Sequence, residues 1–215
     1  MPVKELFYNR KPEAGEKLME LLKEEPADYD LNIMLGWLYL KEEELKKAED
    51  CVSTALRAAP GDPLASFISA EINCRNGKKD EAKEFYLAVI SNSKEKELKA
   101  LAYSSLSTLY TELEDQKNAL ACIKLAREIS PDNREFKRKQ YLMEYYSESS
   151  KGTWINDVQD HMQRARECIT EMNYDIAILI LKKIAQLNPD EIASYVLLGE
   201  LYMSAKDFSE SERWL

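Results

Sequence analysis

The chain has 215 residues, a net charge of -9 and 32% charged side chains, but only six glycines and seven prolines. So few turn formers argue against a sandwich or barrel, and the acidic balance argues against a nucleic-acid partner. Hydrophobic residues reach 45%, enough for a packed core, yet no apolar run approaches the roughly 18 residues a membrane span requires.

The start, "MPVKELFYNRKPEAG", lacks the apolar stretch of a signal peptide. Cys51, Cys74, Cys122 and Cys168 are widely spaced, form no CxxC and lie inside helical patterns. That usage predicts reduced thiols in a soluble cytoplasmic protein. Val3 to Tyr8 reads as a shortened helix, and residues 12–26 as an amphipathic one closed by Pro26. Leu31 to Cys51, "LNIMLGWLYLKEEELKKAEDC", then reads as two helices around a charged turn. Gly36 sits inside the first of them, where it costs about 1 kcal/mol relative to alanine.

A period explains it. Ala14, Ala48, Ala82 and Ala119 each open an amphipathic helix, at intervals of 34, 34 and 37 residues. Pro26, Pro60 and Pro131 follow three of them by twelve residues, and Lys94 takes that place in the remaining unit. The series resumes with Ala177 and Pro189, and one 34-residue step past Ala177 lands on Ser211. A second pattern precedes the alanines in "NIMLGWLY", "YSSLSTLY" and "YVLLGELY": aromatic-x-x-Leu-small-x-x-Tyr.

Together these motifs resemble the tetratricopeptide repeat signature, W-x2-L-G-x2-Y…A-x3-F…P. Leu35, Gly36, Tyr39, Ala48 and Pro60 match it, with Asn32 in place of the aromatic and Val52 in place of Phe. Leu106, Tyr110, Ala119 and Pro131 match in a later unit, and Leu198, Gly199 and Tyr202 in the last. The unit from Pro63 to Lys96 is degenerate, with Asn73 at the tyrosine position. The expected fold is all-α, a helix-hairpin solenoid that the resemblance implies winds into a right-handed superhelix. Small residues are expected to meet where the two helices of a hairpin cross: Gly36 with Ala48, Ala70 with Ala82, Ser107 with Ala119, and Ala165 with Ala177.

The units are expected at 29–62, 63–96 and 100–133, with an extra helix over 134–148 completing an N-terminal block, 1–148. Gly152 in "SSKGTWIND" marks a hinge at 149–157. A C-terminal block, 158–215, holds one repeat and a truncated one, which suggests a chain continuing past Leu215 or a copy packed on that end.

Nothing in the sequence spells a reaction centre. No nucleophile elbow, Walker loop or GxGxxG occurs. His161, the sole histidine, occupies the register of the first aromatic and reads as hairpin packing, with no ligand partner at helical spacing. No cofactor or metal is expected, and no enzyme activity in this segment.

By the family resemblance, the first helix of each hairpin lines a concave groove that takes a peptide or helix of a partner protein. The groove residues so implied are Ile33, Trp37 and Leu40 in one unit, and Leu64, Phe67, Glu71 and Arg75 in the next. Trp37 and Phe67 would act as anchors, unless Leu6 and Phe7 fold over Trp37. Members that hold chaperone C-terminal carboxylates use lysine, asparagine and arginine at positions occupied here by Ile33, Trp37, Ile68, Leu101 and Ser105. The carboxylate clamp is therefore not expected. The leading expectation is a protein-binding adaptor or scaffold. The alternatives are a docking arm of a larger enzyme and a structural homo-oligomer completed through the C-terminal half-hairpin.

Overall fold

The computed structural model describes residues 12–151, 158–206 and 208–214. All the regular structure among them is helical: α1 (Pro12–Glu24), α2 (Tyr29–Lys41), α3 (Leu45–Ala58), α4 (Pro63–Arg75), α5 (Lys79–Asn92), α6 (Lys96–Glu112), α7 (Gln116–Ile129), α8 (Arg134–Lys151), α9 (Val158–Thr170), α10 (Tyr174–Leu187), α11 (Ile192–Ser204) and α12 (Phe208–Trp214). Two compact units divide them. The first runs to Asp115 and adds Glu128–Ser130; the second is Gln116–Arg127 with Pro131–Leu215.

Helix starts follow from side-chain caps. Asp28 accepts from the Leu31 amide at 2.8 Å, and Asp62 from that of Ala65 at 2.9 Å. Pro63 occupies the first turn of α4, where a missing N–H costs nothing. Asn32, which replaces the signature aromatic, is buried. Its amide donates to the carbonyls of Pro26 (3.0 Å) and Asp28 (2.7 Å), so it fastens the preceding turn instead of filling space.

Helix ends repeat one geometry. Seven residues after each small crossing residue the backbone turns left-handed, at Glu43, Gly77, Glu114, Met172 and Lys206. The amide after that residue reaches back five positions in four of them: Glu44 to Tyr39, Lys78 to Asn73 and Asp115 to Tyr110 at 2.9 Å, and Asn173 to Cys168 at 2.8 Å. This is the Schellman arrangement, which glycine suits best. Only the degenerate second unit uses it. Met172, at φ 60° and largely exposed, gains nothing from its side chain there. Met172→Gly should therefore raise stability by about 0.5–1 kcal/mol in urea melts, while the equivalent Gly77→Ala should lower it.

In the N-terminal unit α2 packs on α3 and α4 on α5, with α3 against α4 and α5 against α6. The core gathers Ile33, Leu40, Val52, Ala55, Ile68 and Ile72. Gly36 meets the predicted crossing. A Cβ built on it would lie 2.6 Å from Val52 Cγ2 and 3.6 Å from the Ala48 carbonyl oxygen. On α1 a Cβ added to Gly15 would stand 2.9 Å from Leu38 Cδ2 of α2, a contact between successive hairpins that the leucine tip can relieve by turning. Ala70, Ala82, Ala165 and Ala177 are fully buried, as are Ser107 and Ala119 in their own units.

In the C-terminal unit α9 pairs with α10 and α11 with α12. Met162, Ala165, Cys168, Ile176, Ile180, Leu181, Ile184 and Leu198 share one core. Ser211, one step after Ala177, is buried and donates to the Gly199 carbonyl at 3.0 Å. The short α12 is held by Trp214, whose ring lies 6.0 Å from that of Tyr195.

The extra helix belongs elsewhere than the sequence suggests. α8 packs in the C-terminal unit, with Tyr141 in its core and Leu142 and Tyr145 against it. Ion pairs from Lys137 to Glu171 (2.8 Å) and from Arg138 to Asp175 (2.6 Å) fix α8 over the α9–α10 turn. Both cations come from the basic run "REFKRKQ", Arg134 to Gln140, so that run helps to dock the helix. The hinge expected at 149–157 falls partly outside the described residues, since 152–157 are not among them.

Candidate functional site

In the N-terminal unit the first helices of successive hairpins touch, α2 with α4 and α4 with α6. Polar links cross these contacts at separations close to one repeat. The Tyr29 hydroxyl on α2 donates to Asp62 Oδ1, the cap of α4, 33 residues on. Arg75 Nη1, at the end of α4, donates to the Leu40 carbonyl of α2 at 2.7 Å across 35 residues. Ser105 Oγ on α6 donates to Glu71 Oε1 on α4 at 2.8 Å across 34. Tyr86 on α5 donates to the same oxygen at 2.7 Å. Burial, then the Glu71 charge beside it, pushes the Tyr86 phenol far above its ordinary range. Burial and the bond to Asp62 raise Tyr29 likewise. Both hydroxyls thus stay protonated and remain donors.

These links revise the groove that the sequence suggested. Phe67, at 7% exposure, stands edge-on to the Tyr86 ring at 5.9 Å. Ile33 and Leu40 are buried in the core with Ile68 and Ile72. All three form the floor below the surface instead of a lining open to a ligand. The physical reason is the repeat itself, since the face of α2 that bears positions 33 and 40 is the one the next first helix covers. Trp37 and Leu64 are partly buried against that core. Lys41 is exposed and sets its ammonium 4.5 Å above the Trp37 ring. Glu71 is half-buried and committed to Tyr86 and Ser105, whereas Arg75 is exposed although it binds the α2 carbonyl. Leu101 on α6 is 46% exposed. Leu6 and Phe7, the expected cover for Trp37, lie outside the described residues.

The structure therefore brings Trp37, Lys41, Leu64 and Arg75 to a surface and sends Ile33, Leu40 and Phe67 beneath it. Sequence reasoning missed the Tyr29–Asp62 and Tyr86–Glu71–Ser105 links. Polar residues on first helices at separations of 33 and 34 were the available signal.

His161 is buried in α9 beside Met162. All four cysteines are free thiols. Among the described residues no group of three His, Cys, Asp or Glu side chains is placed to hold a metal ion. None of the described helices is long and apolar enough to cross a membrane.

Two family models match, each described as tetratricopeptide repeat, over residues 12–72 and 100–133. Residues 12–72 and 100–133 are tetratricopeptide repeats. Residues 134–215 lie outside both matches, yet α9–α12 repeat the same crossing and turn geometry. No curated protein matches the chain in sequence. Among solved structures, PilF of Pseudomonas aeruginosa is similar with a TM-score of 0.57 at 13% identity, covering 94% of this chain and 81% of that one. YrrB, described as a TPR protein with an unusual peptide-binding site, gives 0.51 at 15% identity, covering 93% of this chain and 89% of its own. The Cut9–Hcn1 structure of the APC/C gives 0.58 at 15%, covering 92% of this chain and 40% of that chain. At these identities the likeness establishes the fold. Repeats of this type make a protein-interaction scaffold.

Proposed function

We propose that the chain is a non-enzymatic cytoplasmic adaptor that binds a segment of a partner protein across α2, α4 and α6. The observation that carries this reading is the partly exposed Trp37 ring under the Lys41 ammonium, with Leu64 beside the same core and Arg75 exposed on the neighbouring helix. An indole at the centre of a recognition face is the type of anchor that dominates interface energies. Two cations on this face of an otherwise acidic protein favour a segment that carries a carboxylate next to an apolar side chain. Such a carboxylate would pair with Lys41 while the apolar group covers the ring. Peptide binding by YrrB, a protein of the same fold, supports the choice of ligand class.

The test is capture from source lysate by wild type and Trp37→Ala, read by mass spectrometry, followed by titration of the captured protein. Trp37→Ala should keep its helical circular dichroism and weaken binding by about 2 kcal/mol, roughly thirtyfold. A variant that melts early but captures the same proteins would place Trp37 in the core alone and overturn the reading.

A further inference from the structure

In the C-terminal unit the stretch of α7 from Gln116 to Arg127 runs antiparallel beside α8. Arg127 Nη1 donates to Gln140 Oε1 at 3.2 Å, and a turn back along α7 Lys124 Nζ stands 3.5 Å from Glu144 Oε1. Beyond that pair the two helices enclose a cleft of about 500 Å³, lined by Gln116, Lys117, Leu120, Ala121, Lys124 and Ser147. All but Ser147 come from α7, at positions that share one helical face. Lys117 and Lys124 stand at its two ends, about 10 Å apart along the helix axis. Between them lie half-buried Leu120 and exposed Ala121. The cleft is thus an apolar floor with an ammonium group at either end.

Neither cation is tied to the fold. Lys117 is exposed in the first turn of α7, which holds no acidic residue, so the positive end of the helix dipole adds to its charge. The Lys124 side chain is 50% exposed, and an ion pair so open to water is weak. Glu144 does not depend on it, because Gln140 Nε2 donates to Glu144 Oε1 at 2.9 Å and Arg164 Nη1 lies 4.0 Å from its other oxygen. From this we infer that the α7–α8 cleft binds an extended segment of a partner protein of the form acid-x-aliphatic-x-acid. Alternate side chains of an extended chain share a face, and five residues span about 13 Å. The middle side chain then meets Leu120 and Ala121 while the outer carboxylates reach Lys117 and Lys124. Gln116 and Ser147 offer groups that can bond the segment's backbone. A helix is the wrong shape for this space, since two turns of one fill about 900 Å³. α7 is the second helix of the repeat at 100–133, so the site is separate from the first-helix face that bears Trp37. It stands whether or not that face binds a peptide.

A capped synthetic peptide, Glu-Thr-Leu-Thr-Glu, serves as the probe, its threonines favouring an extended chain. Titrated into the isotope-labelled protein at low salt, it should shift the amide resonances of Gln116 to Lys124 and of Ser147. A peptide with glutamine for both glutamates, or serine for the leucine, should bind about tenfold more weakly. Lys117→Gln with Lys124→Gln should weaken the parent peptide to the same degree, and Ala121→Gln should block it by filling the floor without changing the charge. All three positions are exposed, so each variant should keep the wild-type melting temperature. Shifts that are absent at millimolar peptide, that the glutamine peptide reproduces, or that fall on α2 and α4 instead would overturn the inference. So would equal shifts from free glutarate, because the cleft would then be a small-anion site and not a peptide site.

Discussion

Valine in place of Gly36 should destabilise the N-terminal unit by about 1–3 kcal/mol, the usual cost of overpacking a tight helix contact. For a chain of this size that corresponds to a melting temperature lower by roughly 3–10 °C. The first added carbon alone meets Val52 Cγ2 at 2.6 Å, with Cys51 Cβ at 3.5 Å behind it. Val52 is buried on α3 and has a single favoured rotamer in a helix, so it cannot swing aside. Even alanine should destabilise, although it recovers about 1 kcal/mol of helix propensity. The contact wins because yielding requires the two helices of the hairpin to separate, which loosens every pair along the crossing. Val52→Ala in the same chain should rescue most of the Gly36→Val loss, giving a large coupling energy in a double-mutant cycle. Urea denaturation followed by circular dichroism measures all four variants. A Gly36→Val protein as stable as wild type would mean that α2 and α3 do not cross at this residue.

The crossing was legible because one residue class recurs at a fixed interval. Gly36, Ala70, Ala165 and the alanines twelve positions after them are small for a single steric reason, and sterics leave a mark on composition. The Schellman turns were less visible. Glu43, Glu114, Met172 and Lys206 adopt φ near 60° without glycine to announce it. Backbone geometry there is imposed by the packed helices on either side, and tertiary packing overrides the local preference. The fate of α8 was hidden for another reason. "REFKRKQ" looks like a solvated basic face until the partners Glu171 and Asp175 are known, and those lie more than thirty residues away.

The candidate site was half legible. Family resemblance pointed to the first helices of the hairpins, and Trp37 on α2 is partly exposed. It also nominated Ile33, Leu40 and Phe67, which share the apolar character of groove residues but face the next helix instead. Composition cannot separate those two fates, because a groove lining and an inter-repeat contact both want large apolar side chains. What separates them is direction around α2 and α4, and that is fixed by which neighbour each helix leans on. The polar links make the same point from the other side. Glu71 and Arg75 looked like ligand-setting charges, yet each is bonded to an adjacent first helix. Stability in a stacked array is close to a sum of repeat terms and neighbour terms, so charges at one-repeat spacing are as natural in the neighbour term as in a ligand contact.

Tyr86→Ala should destabilise the N-terminal unit by about 3–5 kcal/mol. The side chain is fully buried, and its ring supports Phe67 edge-on. Removing it opens a ring-sized void that rigid helices on both sides cannot collapse to fill. Tyr86→Phe separates the ring from the hydroxyl. It keeps the ring and deletes the bond to Glu71 together with the weaker contact to Cys74 Sγ, so it should cost about 1.5–3 kcal/mol, the range for a hydrogen bond to a charged group. Glu71 would still accept from Ser105, which places the expected loss toward the lower end of that range. Adding Ser105→Ala to Tyr86→Phe should then cost more than the sum of the two separately, because the half-buried carboxylate loses both donors together. Urea midpoints at neutral pH for the four proteins decide it. Strict additivity would mean that the two hydroxyls act on Glu71 independently, and a phenylalanine variant as stable as wild type would mean that the Tyr86–Glu71 bond contributes nothing.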